Sequence, residues 1–128
     1  CHPENKVVSK KSMELSAVRE YLDGHFTEKI VLEDLSRLFY IDKYYLTKIF
    51  KEAYGMTITA YLLSRRITKA KSLLRFTDMT MEEIGAASGL KDSNYFARSF
   101  KKVEGVTPGE YRQSWKNTNV GTSVRALD

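Results

Sequence analysis

The sequence predicts an all-α protein of seven helices, arranged as two similar halves joined by one long central helix. Three observations predict it. Apolar residues recur mostly three or four apart through Thr57 to Phe76, with no Gly or Pro between them, which is the helical period. The segments on either side, IDKYYLTKIFKEAYGMT and LKDSNYFARSFKKVEGVT, are copies of one another. Residues suited to start and stop helices fall at the edges of most of the periodic segments.

Residues 1–11, CHPENKVVSKK, are polar and aperiodic, and are expected to be the end of a linker. Ser12 is expected to open the first helix, with Leu15, Val18, Tyr21 and Leu22 as its apolar stripe and Gly24 as its stop. His25 is expected to be a loop histidine, since no second ligand is near, and Phe26 and Ile30 are expected to anchor the loop in the core. LEDLSRLFY (32–40) follows as a short helix, with Leu32, Leu35, Leu38 and Phe39 toward the core and Val31 as a poor cap. Asp42 caps a third helix, 43–54, which Gly55 stops. Thr57 can cap the long helix, because its hydroxyl accepts from a free N–H of the first turn. At about 1.5 Å per residue the long helix spans roughly 30 Å.

Beyond the break at 77–79, Thr80 and Glu83 have the spacing of a capping box. Ile84, Ala87 and Leu90 give that helix its apolar side. Asp92 caps the next helix, 93–104, which Gly105 stops. Thr107-Pro108-Gly109-Glu110 repeats the capping box with Pro at the first helical position, where no N–H is missed. A last short helix runs through Trp115, and 117–128 is expected to fray. KIVLEDL could be a strand by propensity alone, but caps and period outweigh that. The organisation is a linker at 1–11, one subdomain at 12–56, a connecting helix at 57–76, a second subdomain at 77–116 and a flexible tail at 117–128.

A chain of 128 residues suffices for one compact domain or two small ones sharing an element. Its net charge of +5 favours a polyanionic partner, though the placement of charge matters more than the sum. One cysteine excludes an internal disulfide and fits a reducing, cytoplasmic setting. With Cys1, His2 and His25 there is no metal-ligand spacing, and no cofactor is expected. No apolar run approaches the ~18 residues of a membrane span. The chain does not begin with Met, and is expected to be the C-terminal part of a longer protein whose sensory or receiver domain precedes Cys1.

The repeat is explicit. A shift of 50 residues lays Asp42, Tyr45, Phe50, Lys51, Gly55, Thr57 and Tyr61 on Asp92, Tyr95, Phe100, Lys101, Gly105, Thr107 and Tyr111. Upstream, an offset of 49 pairs Leu35 with Ile84 and Ile41 with Leu90, so the second copy has one extra residue at its turn. Each copy is helix, tight turn, capped helix and glycine stop, the outline of a helix-turn-helix unit.

The exposed faces separate a merely structural repeat from a functional one. In the first copy Leu46, Ile49, Phe50 and Ala53 form the buried stripe, leaving Tyr44, Thr47, Lys48 and Lys51 free. In the second, Phe96, Phe100 and Val103 are buried, leaving Asn94, Ala97, Arg98 and Lys101 free in the same spacing. Neither free face holds a carboxylate, whereas a solvated face usually mixes both signs. Lys, Arg, Asn and Thr suit phosphates and base edges. Tyr45 and Tyr95 are expected as packing residues with a hydroxyl at the rim.

RRITKAKSLLRFTDMTMEEIGAASGLKDSNYFARSFKKVEGVTPGEYR (65–112) resembles the signature of the AraC/XylS family of bacterial transcription regulators. It has an arginine-led helix ending in Leu-Leu, Gly-hydrophobic at the turn, then Tyr-Phe, Phe-Lys, Gly-x-x-Pro and Tyr-Arg. The first copy and its lead-in, YLDGHF, are similar to the family's first helix-turn-helix, so the likeness covers residues 15–113. The resemblance implies two helix-turn-helix subdomains, each placing its second helix in a major groove. Carried over by position, Tyr44, Thr47 and Lys48 face bases in the first copy, and Asn94, Tyr95 and Arg98 in the second. This disagrees with the packing role for Tyr95. Lys43, Lys51, Lys91, Lys101 and Lys102, with Ser93, are expected at phosphates. The sequence departs from the family at Tyr40, where a small residue is usual and a positive φ would be strained; Gly85 replaces a usual Ala, and Leu90 a usual Phe.

The expected function is sequence-specific binding of double-stranded DNA by a transcription regulator, without catalysis. The alternative is a helical protein–protein module, for example one that contacts RNA polymerase. No Ser/His/Asp set, carboxylate pair or glycine-rich phosphate loop can be assembled. Arg98 has two readings, guanine reader and phosphate clamp, and the planar fork of Arg favours guanine.

Overall fold

A computed structural model describes residues 3–116. They form seven helices and no strand: α1 (Pro3–His25), α2 (Leu32–Phe39), α3 (Lys43–Tyr54), α4 (Ile58–Phe76), α5 (Met81–Ala87), α6 (Ser93–Glu104) and α7 (108–116). The expected tail at 117–128, with Cys1 and His2, lies outside the described residues. α1 is longer than expected and starts at Pro3 rather than Ser12. The aperiodic lead carries good helix formers and no internal Gly, and proline's fixed φ is compatible with a first helical turn. α1 also continues one residue past Gly24, to His25, whose Nδ1 lies 2.8 Å from the Tyr21 carbonyl and whose ring stacks on that of Tyr21.

The chain divides into two compact units within α4, between Leu62 and Leu63. In the first unit Leu15, Val18 and Leu22 of α1 meet Leu35, Leu46, Ile49 and Phe50, and α4 contributes Ile58 and Leu62. Phe26 and Ile30 pack against this core as expected. In the second, Ile67, Ala70 and Leu74 of α4 meet Ile84, Leu90, Phe96 and Phe100. One helix therefore supplies core residues to both units, and its apolar stripe is long because it is used twice.

The repeat survives in three dimensions. Phe50 meets Tyr61 edge-on at 5.7 Å between ring centroids, and Phe100 meets Tyr111 edge-on at 5.5 Å. Gly55 and Gly105 close α3 and α6 at φ 77° and 86°, a left-handed conformation that costs glycine little. Thr57 Oγ1 accepts from the Ala60 N–H at the start of α4. Both expected capping boxes form, Thr80 with Glu83 and Thr107 with Glu110.

Four expected burials fail. Leu38 is exposed, because the short α2 turns it away from the core that Leu35 fills. Ala53 and Val103, matching positions of the repeat, are both exposed, since the last turn of each helix runs past its core. Ala87 is only half-buried.

Candidate nucleic-acid interface

α3 starts where Asp42 accepts from the N–H groups of Tyr44 and Tyr45, both at 3.1 Å. This cap fixes the rotation of the helix. Leu46, Ile49 and Phe50 then lie in the core, and Tyr44, Thr47, Lys48 and Lys51 are exposed. Tyr44 is 74% exposed. The Thr47 hydroxyl donates to the Lys43 carbonyl at 2.9 Å, which leaves its methyl and both acceptor lone pairs of its oxygen for a partner. Lys43 is not a free cation. Its Nζ lies 2.9 Å from Glu33 Oε2 and 5.3 Å from the centre of the Tyr44 ring. The hydrogen bond and charge of Lys43 hold the Glu33 carboxyl below its ordinary pKa, and Glu33 raises that of Lys43 by the same contact.

α6 is built the same way. Asp92 accepts from the Tyr95 N–H at 3.0 Å, and Phe96 and Phe100 are buried. Lys91, Ser93, Asn94, Tyr95, Arg98, Lys101 and Lys102 are all exposed. Arg98 makes no hydrogen bond or ion pair with the described residues, and lines a groove of about 240 Å³ with Leu63, Tyr95, Ser99 and Lys102. Its guanidinium is therefore uncommitted, unlike the Lys43 ammonium of the first unit, which is paired with Glu33.

Tyr45 and Tyr95 do not pack as expected. They are 50% and 45% exposed. Each precedes the buried Leu46 or Phe96 by one residue, about 100° around the helix, and so sits on the flank between core and free face. This removes the disagreement over Tyr95, whose position is compatible with the role implied by the family resemblance. Arg66 of α4, absent from the expected set, lies near enough to Tyr95 for electrostatic interaction. Partial burial pushes its guanidinium pKa down, opposed by Tyr95. Its signal in the sequence was hidden, because α4 reads as a connector. Among the described residues no group of His, Cys, Asp or Glu could hold a metal ion, and no helix is long and apolar enough to cross a membrane.

The model of the helix-turn-helix domain family matches residues 35–114. The chain belongs to the AraC family of helix-turn-helix transcription regulators. It corresponds to the DNA-binding domain of such a regulator. The uncharacterized HTH-type transcriptional regulator YijO of Escherichia coli is 32% identical over 110 residues, 86% of this chain and 39% of that protein. The bifunctional transcriptional activator/DNA repair enzyme AdaA of Bacillus subtilis is 32% identical over 116 residues, 91% of this chain and 54% of its own length. This AraC-type chain thus spans about two-fifths to one-half of these two relatives. Among solved structures, the C-terminal domain of the two-component response regulator yesN from Fusobacterium nucleatum has a TM-score of 0.72 at 34% identity, over 76% of this chain and 95% of that one. The DNA-binding domain of AdpA, solved with a target DNA, shares the fold with a TM-score of 0.77 at 21% identity, over 81% of this chain and 94% of its own.

Proposed function

We propose that this AraC-type domain binds double-stranded DNA sequence-specifically, with α3 and α6 in consecutive major grooves. In this reading Tyr44, Thr47, Lys48, Asn94, Tyr95 and Arg98 contact bases, and Lys43, Lys51, Lys91, Ser93, Lys101 and Lys102 contact phosphates. Lys43 does so by exchanging Glu33 for phosphate. One observation carries the reading: two helices, capped by aspartate at matching positions, each expose a face of cations and neutral polar groups without a carboxylate. The crystallised complex of AdpA with its target DNA agrees with this use of the fold. The domain performs no catalytic step in this reading; a repair activity, as in the name of AdaA, would reside elsewhere in such a protein.

Selection of bound sites from random duplexes, followed by a salt titration on the selected site, tests it. Five lysines at phosphates predict a log–log slope of about −4 to −5, at −0.9 per neutralised phosphate. The selected site should cover ~20 base pairs, two turns of DNA on one face. A flat salt response with no enriched sequence would reject DNA binding and favour a protein partner such as RNA polymerase. A footprint confined to one groove would reject the two-groove arrangement alone.

A further inference from the structure

Among the described residues, Tyr40 is the one residue other than glycine at positive φ, at φ 55° and ψ 43°. The left-handed region is disfavoured for side chains with a Cβ, and bulky residues are seldom found there. A residue held in such a conformation is normally over-determined by what surrounds it. The backbone here is held: the Ile41 N–H donates to the Ser36 carbonyl at 3.1 Å, and the Ser36 hydroxyl donates to the Ile41 carbonyl at 2.5 Å. The side chain is not. Tyr40 is 95% exposed, so its ring makes almost no contact that could offset the strain. The second unit shows what the turn itself requires. Its matching residue is Gly89, at φ 91°, which adopts the conformation with no steric cost. The fold thus needs a left-handed residue at this turn and does not need a tyrosine.

Tyr40 stands two residues before Asp42, the cap of α3. At 3.8 Å per residue that places it within about 8 Å of the end of the helix whose first residues enter the groove. The carboxylate nearest to it in sequence, Asp42, is engaged by the Tyr44 and Tyr45 N–H groups at the start of that helix, and the cation Lys43 and the exposed Tyr44 follow it. We infer that Tyr40 is a DNA-positioning residue. Its ring lies on the deoxyribose-phosphate backbone at the rim of the first groove, and its hydroxyl donates to a phosphate oxygen. Tyrosine is among the side chains that make such backbone contacts, which fix register without reading sequence. The inference rests on the DNA-binding reading, and gives the first unit an anchor that the second lacks.

The test compares the wild-type chain with Tyr40→Gly, Tyr40→Asn and Tyr40→Phe, by thermal unfolding and by anisotropy with a selected duplex and a random one. Gly and Asn both tolerate the left-handed region, so folding is retained, and the Gly variant should unfold a few degrees higher, ~2–5 °C. Both variants should lose roughly 5–10-fold in affinity, equally on selected and random duplexes, as loss of a backbone contact requires. Tyr40→Phe should lose ~2–5-fold, since only the hydroxyl is missing. Wild-type binding with undiminished affinity in the Gly and Asn variants would overturn this inference and leave the DNA-binding reading standing. A wild-type chain that binds no duplex would overturn both. A loss confined to the selected duplex would also overturn it, because that marks a base reader.

Discussion

The two helix-turn-helix units are copies by sequence, yet their turns are built differently. In the second unit Leu90 N–H donates to the Gly85 carbonyl at 2.7 Å, Gly89 takes the left-handed conformation, and α5 begins in a complete capping box. In the first, the equivalent bond from Ile41 to Ser36 is 3.1 Å, Tyr40 takes the strained position, and α2 begins at Val31 with no side-chain cap. The second unit spends its residues on holding the turn. The first leaves the turn partly to local compromises and places more aromatic surface outside: Tyr40, Tyr44 and Tyr45 are all exposed, against Tyr95 alone at the matching positions. The shared sequence pattern sets the outline of both units, and the two turns are then held by different contacts.

The sharpest break of that comparison is Arg112, which has no counterpart in the first unit, where Leu62 stands fifty residues earlier. Its Nε donates to the Leu74 carbonyl at 3.1 Å, one terminal nitrogen to Met79 at 2.8 Å and the other to Thr77 at 3.0 Å. One guanidinium thus satisfies carbonyls at the end of α4 and in the link to α5. Hydrogen bonds to a charged group are worth about 1.5–3 kcal/mol each and do not add fully. Arg112→Ala is expected to lower stability by at least about 3 kcal/mol. Lys should rescue little, because it lacks the planar fork. Denaturant unfolding measures this, and a loss below about 1 kcal/mol would mean that water replaces the arginine without penalty.

Next in size is Gly85. A Cβ built there would lie 2.7 Å from the Leu90 carbonyl oxygen and 3.3 Å from the Phe96 ring. The backbone must give way, although Ala is usual here in the family that the sequence resembles. Gly85→Ala is expected to cost about 1–3 kcal/mol, as overpacking does. The first unit carries a Cβ at this position already. Ser36→Ala there should cost only the hydroxyl's bond to Ile41, about 1 kcal/mol. Equal costs at the two sites, measured in the same unfolding assay, would erase the contrast between the turns.

Much of this was legible in the sequence, for a physical reason. Caps are local: Asp42, Thr57, Thr80, Asp92 and Thr107 act on N–H groups two or three residues away, so spacing reveals them. The free faces followed from helical period, and the strain at Tyr40 from the family resemblance, which expects a small residue at that turn. The failures need tertiary context. The carbonyls that Arg112 binds lie 33 to 38 residues away. The exposure of Ala53 and Val103 depends on where a core ends, which periodicity does not mark. The pairing of Lys43 with Glu33 spans two helices, and Arg66 lies on a helix that served in the sequence only as a connector.

The recognition faces differ as well. Arg98 is uncommitted, while Lys48, its counterpart, offers a point charge. Arg98→Ala should cost about 1–3 kcal/mol at the preferred site and flatten preference at one base pair, as loss of a guanine reader does. Lys48→Ala should weaken selected and random duplexes alike if Lys48 works through phosphate, although its position implies a base contact. Binding logos for both variants decide. If the Arg98→Ala logo keeps every preference while affinity falls uniformly, Arg98 is a phosphate clamp.

The smallest expected effect would move the first unit toward the second. Val31 precedes α2 at φ −117° and ψ 132°, an extended conformation proper to an N-cap, and Asp34 N–H bonds only the Val31 carbonyl there. At the matching place Thr80 accepts from the Glu83 N–H at 3.1 Å. Val31→Thr keeps the size and β-branching of the side chain and adds an acceptor within reach of the first turn. A cap of this kind is worth about 0.5–1 kcal/mol. Val31 is half-buried, so the hydroxyl loses part of that gain to desolvation unless it bonds an N–H of the first turn. Because α2 packs against α3 and not against DNA in the proposed reading, duplex affinity should not change. A rise in unfolding free energy with unchanged affinity is the expected result. Destabilisation would show that the Val31 methyl packs more tightly than its partial exposure implies, and that the poor cap serves packing.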